Sequence, residues 1–349
     1  MKPSITIAGR EIGAAHSPFV IAELSANHNG SLAHALELME AAKDSGADAI
    51  KLQTYTADTM TIDHDGPEFS IKGGLWDGYT LHALYQEAHT PWEWHEELFA
   101  KGRELGLIVF STPFDATALD FLHGLGAPAY KIASFELVDL PLIRKCAAIG
   151  KPMIMSTGMA SLEEIDAAVK TAAEAGAEEI ALLHCTSGYP TPPEEADLRT
   201  IPNLAEAFGR VTGLSDHTHG IGVAVAGIAL GAAIVEKHFT LRRSDGGPDS
   251  AFSMEPGEFR ALSDNIRLAW QALGRVRYDK SASEKGNVQF RRSLYIVEDI
   301  EAGGVLSETN LRAIRPGHGL APEYFDLLLG KRINRAAKRG TPLSWDLIG

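Results

Sequence analysis

The chain has 349 residues, 45% of them hydrophobic and 22% charged, and a formal net charge of −14; this is an ordinary soluble composition, longer than one average domain. The acidity argues against a nucleic-acid surface or an anionic membrane as partner, while a few local cations could still hold a small anion. No apolar run reaches the ~18 residues of a membrane span, no signal-peptide core opens the chain, and Cys146 and Cys185 lack CxxC spacing, so a reduced cytoplasm is expected and a disulfide framework or zinc site is not.

In chain order, residues 4–12, around Ala8-Gly9-Arg10, read as a small hairpin suited to covering one end of a barrel. Eight apolar segments follow as expected strands: FVIAEL (19–24), AIKLQ (49–53), LIVFST (107–112), AYKIAS (129–134), MIMST (153–157), IALLHC (180–185), VTGLS (211–215) and IVEKH (234–238). Their near-continuous apolar character marks strands buried on both faces. Helical patterns lie between them. One, SLEEIDAAVKTAAEAG, opens with Ser161 and carries Glu164 three residues on, a capping box. The small-residue run 220–235 reads as a buried crossover helix. Eight βα units in one run predict an α/β fold, a (β/α)8 TIM barrel.

The interval from Gln53 to Leu107 is too long for one helix. Its insertion, 54–94, holds three of the five Trp and reads as a lid or a substrate wall. After Gly274 the pattern changes. Residues 275–290 are polar and read as a linker, and 291–349 as a small β-rich module with too little core of its own, so that it must dock elsewhere. The expected division is 1–274, a linker 275–290, and 291–349.

Barrels place chemistry at the carboxyl ends of their strands. Those ends carry Glu23, Lys51 and Gln53, Thr112, Lys131 and Ser134, Ser156, His184 with Thr186 and Ser187, Ser215 with Asp216 and His217, and Glu236 with Lys237 and His238. Two lysines in strands buried on both faces, with several serines, suit a phosphate or carboxylate. His217 and His238 are 21 positions apart, enough for a crossover of at least ~10–12 residues, so neighbouring strands can present both at one end. Two imidazoles suit a divalent ion with open positions, a Lewis acid for a carbonyl. Glu23 reads either as a salt-bridge partner of Lys51 or as a positioned acid or base. Asp249, in GGPDS, reads as a turn residue able to fold back over the mouth. His28, His184, His219 and His318 are assigned surface or packing roles. Together these residues suit addition of an anionic carbon nucleophile to a metal-polarised carbonyl. A Schiff-base aldolase and a non-catalytic carbohydrate-binding barrel remain open.

The stretches AELSANHNG, KLQTYT, KIASFE, MSTGM, HCTSGYPTP, GLSDHT, EKHFT and GGPDSAFS, in this order, resemble the sialic acid synthase family over nearly the whole chain. The C-terminal RRSL and IRPG are similar to that family's antifreeze-like (SAF) domain. ELSANHNG, IKGGLWDG with TPWEWH, and GGPDSAFS resemble the branch that makes pseudaminic acid; the neuraminate and legionaminate branches are the alternatives. The resemblance implies condensation of phosphoenolpyruvate with an N-acetylated amino sugar, 2,4-diacetamido-2,4,6-trideoxy-L-altrose. It implies that Lys51, Lys131, Ser134, Ser156 and Ser215 hold phosphoenolpyruvate, with Ser187 where the neuraminate branch has Asn. It implies that His217 and His238 bind Mn²⁺ or Mg²⁺, and that Glu23 transfers a proton or positions water. Gln53, Thr112, Tyr189, Glu236 and Asp249 would line the sugar site. Arg315 would reach the active site of the other subunit of a domain-swapped homodimer.

Overall fold

The computed structural model describes residues 3–349. Strands β1 (Ser4–Ile7) and β2 (Arg10–Gly13) form an antiparallel hairpin. Eight parallel strands then close a barrel: β3 (Phe19–Glu23), β4 (Ala49–Thr54), β5 (Ile108–Pro113), β6 (Tyr130–Ile132), β7 (Met153–Ser156), β8 (Ile180–Cys185), β9 (Val211–Ser215) and β10 (Ile234–His238), with β10 paired back onto β3. This is the TIM barrel expected from the sequence. Three strands are shorter than read: β3 and β7 each lose their last residue, and β6 ends at Ile132, so Ser134 stands on the loop beyond it.

Side chains alternate across a strand with a period of two, and this sorts every barrel strand into two sets. Val20, Ala22, Ile50, Leu52, Val109, Ile132, Met155, Leu182, Leu214 and Val235 pack outward against the helices. Phe19, Ile21, Ala49, Phe110, Ala129, Ile154, Ala181, Val211 and Ile234 fill the interior. Ile5, Ile7 and Ile12 of the hairpin join that interior set, so the hairpin seals the end where the strands begin. The same inward parity, continued one or two steps along each strand, reaches Glu23, Lys51, Gln53, Thr112, Lys131, Ser156, Ser215, Glu236 and His238. The apolar plug below and the polar ring above are thus one alternating pattern.

The helix Leu162–Glu174 carries the capping box of Ser161 and Glu164, worth about 1 kcal/mol. The crossover helix before β10 spans only Gly222–Ala229. The long insertion contains the helices Ala57–Met60 and Leu81–Ala88, a 3-10 turn at Trp92–Trp94, and a bridged loop between Ser70 and Thr80. Among the described residues no helix is long and apolar enough to cross a membrane.

Contacts divide the chain after Gly274. In the second unit, Arg275–Gly349, the segment read as linker contains a short helix, Ala282–Lys285, and a 3-10 turn, Gly286–Phe290. Strands β11 (Ser293–Ile296) and β12 (Leu311–Ile314) pair antiparallel. The expectation of too little core is overturned. Leu294, Ile296, Leu306, Leu311, Leu328, Ile333, Leu343 and Leu347 form a buried cluster of their own. Isolated bridges such as Ile300–Ala337, Val305–Arg332 and Ile333–Ile348 hold irregular segments together around it, and strand periodicity alone does not reveal them.

Candidate active site

Strand register brings the polar ring together. Glu23 stands opposite Lys51 on one side and His238 on the other, and Ser215 stands opposite Glu236. Lys51 Nζ lies 2.7 Å from Glu236 Oε1 and 2.8 Å from Glu23 Oε2. Lys131 Nζ approaches the same Glu236 oxygen at 3.4 Å, and Ser215 Oγ donates to it at 3.2 Å. Glu23 Oε1 accepts from Ser25 N at 3.0 Å and from Gln53 Nε2 at 3.1 Å. Both readings of Glu23 are therefore geometrically open: it is paired with Lys51, and it stands within the ring. Burial pulls the Lys51 ammonium down to about 8, with Glu236 opposing and Lys131 assisting. Burial raises Glu236, but Lys131 and Lys51 outweigh it and hold this carboxyl well below the usual carboxylate range.

Beside this cluster lies a cradle of hydroxyls. Ser134 Oγ accepts from Gly158 N at 3.2 Å. A Cβ at Gly158 would collide with both Ser134 Oγ and Ser187 Oγ, so only glycine allows the two hydroxyls and that backbone amide to converge. Ser156 Oγ, Thr112 Oγ1 and Glu236 Oε2 are buried without a hydrogen-bond partner. Buried polar atoms are normally satisfied, so these orphans mark the space a polar ligand would complete.

The two histidines face one another with ring centroids 5.4 Å apart. His217 Nδ1 lies 3.0 Å from the Thr186 carbonyl and His238 Nδ1 lies 3.1 Å from Ser25 Oγ. Each contact orients its ring through Nδ1 and leaves Nε2 free, the arrangement that supports a metal-binding imidazole. Among the described residues no group of three or more His, Cys, Asp or Glu could hold a metal ion; an ion at the pair would take its other ligands from solvent or substrate oxygens. His238 is held well below its ordinary value by burial and by His217, so its imidazole stays neutral. Cys185 Sγ sits 3.8 Å from His217 Nδ1. Burial pushes that thiol up, yet the contact with His217 brings it down to about 7.

Behind the histidines the opposite parity places a second ion pair. Asp216 and Lys237 each directly precede a histidine in sequence, and both are buried among the outward set. Lys237 Nζ lies 2.7 Å from Asp216 Oδ2 and also donates to the Thr218 carbonyl. The pair fastens the two strand ends that carry His217 and His238.

The walls come from loops. The Tyr189 ring lies 4.3 Å from His217 and 5.2 Å from Phe252. Asp249 is half-buried; burial raises its carboxyl, opposed by hydrogen bonds from Ser25 and Ala26. Arg315 is exposed just after β12 in the C-terminal unit. His28 and His184 are packing residues, as read: His28 Nδ1 accepts from Gly30 N, and His184 Nε2 meets the Ala196 carbonyl at 2.7 Å.

Four residues escaped the sequence reading. Ser25 bonds to His238 and influences Asp249. Gly158 shapes the cradle. Glu136 is half-buried with Oε2 unpartnered, and burial pushes its carboxyl up to about 7 against the pull of Lys131 and Lys51. Trp76, in the insertion, donates through Nε1 to the Pro248 carbonyl at 2.9 Å. All four lie beyond strand ends, in the motifs AELSANHNG, MSTGM, KIASFE and IKGGLWDG, and only those motifs could have pointed to them.

Residues 38–278 match the NeuB family and residues 291–349 match the SAF domain. A pseudaminic acid synthase of Helicobacter pylori is 45% identical over 95% of this chain and 98% of its own. An N,N'-diacetyllegionaminic acid synthase of Campylobacter jejuni is 38% identical over 89% of this chain and 94% of its own. The crystal structure of an N-acetylneuraminic acid (sialic acid) synthetase from Leptospira borgpetersenii, in complex with citrate, superposes with a TM-score of 0.74 at 31% identity, covering 82% of this chain and 96% of that one.

Proposed function

The chain belongs to the NeuB family and ends in a SAF domain, and from that premise we propose that it is a pseudaminic acid synthase. It condenses phosphoenolpyruvate with 2,4-diacetamido-2,4,6-trideoxy-L-altrose and water, giving pseudaminic acid and phosphate. The observation that carries the reading is the sharing of Glu236 Oε1 by Lys51 and Lys131 at 2.7 and 3.4 Å, beside a histidine pair with both Nε2 atoms free. The alternatives within the family, neuraminate and legionaminate synthases, share the chemistry and differ in the sugar. The identity of 45% to the Helicobacter pylori enzyme against 38% to the legionaminic acid synthase favours the first reading.

Lys51 and Lys131 hold the anionic groups of phosphoenolpyruvate, and Ser134, Ser156, Ser187 and Ser215 complete the cradle. Charge-assisted hydrogen bonds of this kind are the strong ones. The sugar lies against Gln53, Thr112, Tyr189, Glu236 and Asp249, its aldehyde toward the histidines. His217 and His238 would hold Mn²⁺ or Mg²⁺ through Nε2, and such an ion supplies Lewis acidity to a carbonyl. C3 of phosphoenolpyruvate forms the new bond to the aldehyde carbon, whose oxygen takes up a proton. Water then adds at C2, positioned by Glu23 or giving up its proton to it, and phosphate leaves with its bridging oxygen by C–O cleavage. The fixed lysines and hydroxyls keep the two substrates in attack geometry and stabilise charge with little reorganisation.

The division of labour we propose is a synthase barrel over 1–274, a connector over 275–290 and the SAF domain over 291–349. Arg315 serves the barrel of the second subunit in a domain-swapped homodimer. The two free cysteines, both buried, fit a cytoplasmic enzyme.

The test is phosphate release from phosphoenolpyruvate with Mn²⁺ and each candidate sugar. Turnover preferring the trideoxy altrose is expected, and release only with N-acetylmannosamine would overturn the assignment. Borohydride trapping should tag neither Lys51 nor Lys131, which separates this reaction from a Schiff-base aldolase.

A further inference from the structure

The proposed reaction leaves one contact without a role. The 54–94 insertion folds into a bridged loop in which Ile71 N donates to Tyr79 O at 2.8 Å and Gly78 N to Ile71 O at 3.1 Å. Positive φ at Gly73, Gly74 and Gly78 turns the chain at its tip. Trp76 stands on that tip, half-buried although Leu75 and Asp77 beside it are exposed. Its Nε1 donates at 2.9 Å to the carbonyl of Pro248, the residue preceding Asp249. Its ring centroid lies 5.9 Å from that of Tyr189, with the planes inclined at 55°. Tyr189 in turn packs on His217 at 4.3 Å. An indole and a phenol thus continue outward from the histidine pair, against the loop that carries Asp249.

A hydrogen bond to a neighbouring loop fixes an indole without covering its faces, and an aromatic face is an apolar surface. We propose that Trp76 is a specificity-determining residue for the sugar, forming with Tyr189 the apolar wall of its subsite. This inference rests on the function proposed above. The trideoxy sugar carries a methyl group where N-acetylmannosamine carries a hydroxymethyl, and a second acetamido group where it carries a hydroxyl. Such a ligand gains from an aromatic wall what a more hydroxylated sugar does not. Phosphoenolpyruvate, seated on Lys51 and Lys131, does not meet this wall.

The test is steady-state kinetics of the full-length Mn²⁺ enzyme with Trp76→Ala, Trp76→Leu and Trp76→Phe. In the Ala variant KM for the trideoxy sugar should rise about tenfold or more, the scale of one lost apolar contact in a specificity pocket, with KM for phosphoenolpyruvate unchanged. Trp76→Phe keeps a ring but loses the bond to Pro248, and it should retain most of the sugar affinity; Trp76→Leu serves if the Ala variant does not fold. An unchanged sugar KM in the Ala or Leu variant overturns the proposal, as does an equal rise for both substrates or a Phe variant as impaired as the Ala variant. These outcomes leave the synthase reading standing if the wild type turns over the trideoxy sugar. A wild type that prefers N-acetylmannosamine overturns both.

Discussion

Lys51 and Glu236, 185 positions apart in the chain, meet at 2.7 Å inside the barrel with both side chains almost fully buried. The Glu236 oxygen they share also faces Lys131, so one carboxylate oxygen is set against two cations. Removing that carboxylate leaves Lys131 without a carboxylate partner and Lys51 with Glu23 alone. Glu236→Gln should lower the unfolding free energy by about 3–5 kcal/mol, as breaking a buried ion pair does. Denaturant titration measures it, and a change below about 1 kcal/mol would mean that water screens the cluster.

The same pair sets a pH dependence. Lys51 is pulled down to about 8, mainly by burial. In its proposed role it would bind an anion in its charged form, which predominates below that value and is lost as pH rises through it. KM for phosphoenolpyruvate should therefore climb above pH 8 while KM for the neutral sugar stays level. Lys51→Arg, charged throughout, should flatten the climb even if its activity is low.

The Asp216–Lys237 pair gives a positioning prediction. Lys237→Met should weaken Mn²⁺ binding by about 10- to 100-fold, the usual effect of losing an outer support of a metal site. Manganese titration followed by electron paramagnetic resonance reads this without turnover. Adding Asp216→Asn removes the orphaned charge and should restore stability more than metal affinity.

Subunit exchange tests the assigned place of Arg315. Arg315→Ala and His238→Ala should each be inactive alone. In a domain-swapped dimer, one site of the mixed heterodimer receives an intact barrel and an intact Arg315. Co-refolded equal mixtures should recover about a quarter of wild-type activity, because half the dimers are mixed and half their sites whole. No recovery would place Arg315 with its own barrel, and an active Arg315→Ala variant would place it outside the site.

Much of this site was legible in the sequence because it obeys strand parity. Glu23, Lys51, Thr112, Lys131, Ser156, Ser215, Glu236 and His238 are inward residues at the ends of apolar strands, and an apolar run closing on a charged residue is visible without coordinates. Ser25, Gly158 and Glu136 are different. They lie on loops, where no period links a residue to its neighbours in space, and their importance comes from closeness to strands far away in sequence. The C-terminal core was illegible for a related reason. Its aliphatics are gathered by isolated bridges between irregular segments, which leave no alternating pattern. Trp76 was seen only as one aromatic of an insertion, since its partner carbonyl lies 172 residues on.

The central claim is that the two lysines and the two histidines form one site for phosphoenolpyruvate and a divalent ion. A crystal of the full chain soaked with Mn²⁺ and phosphoenolpyruvate tests both at once. The account predicts Mn²⁺ within coordination distance of His217 Nε2 and His238 Nε2, and the ligand's anionic groups on Lys51 and Lys131. Metal held elsewhere, or phosphoenolpyruvate away from both lysines, would contradict it.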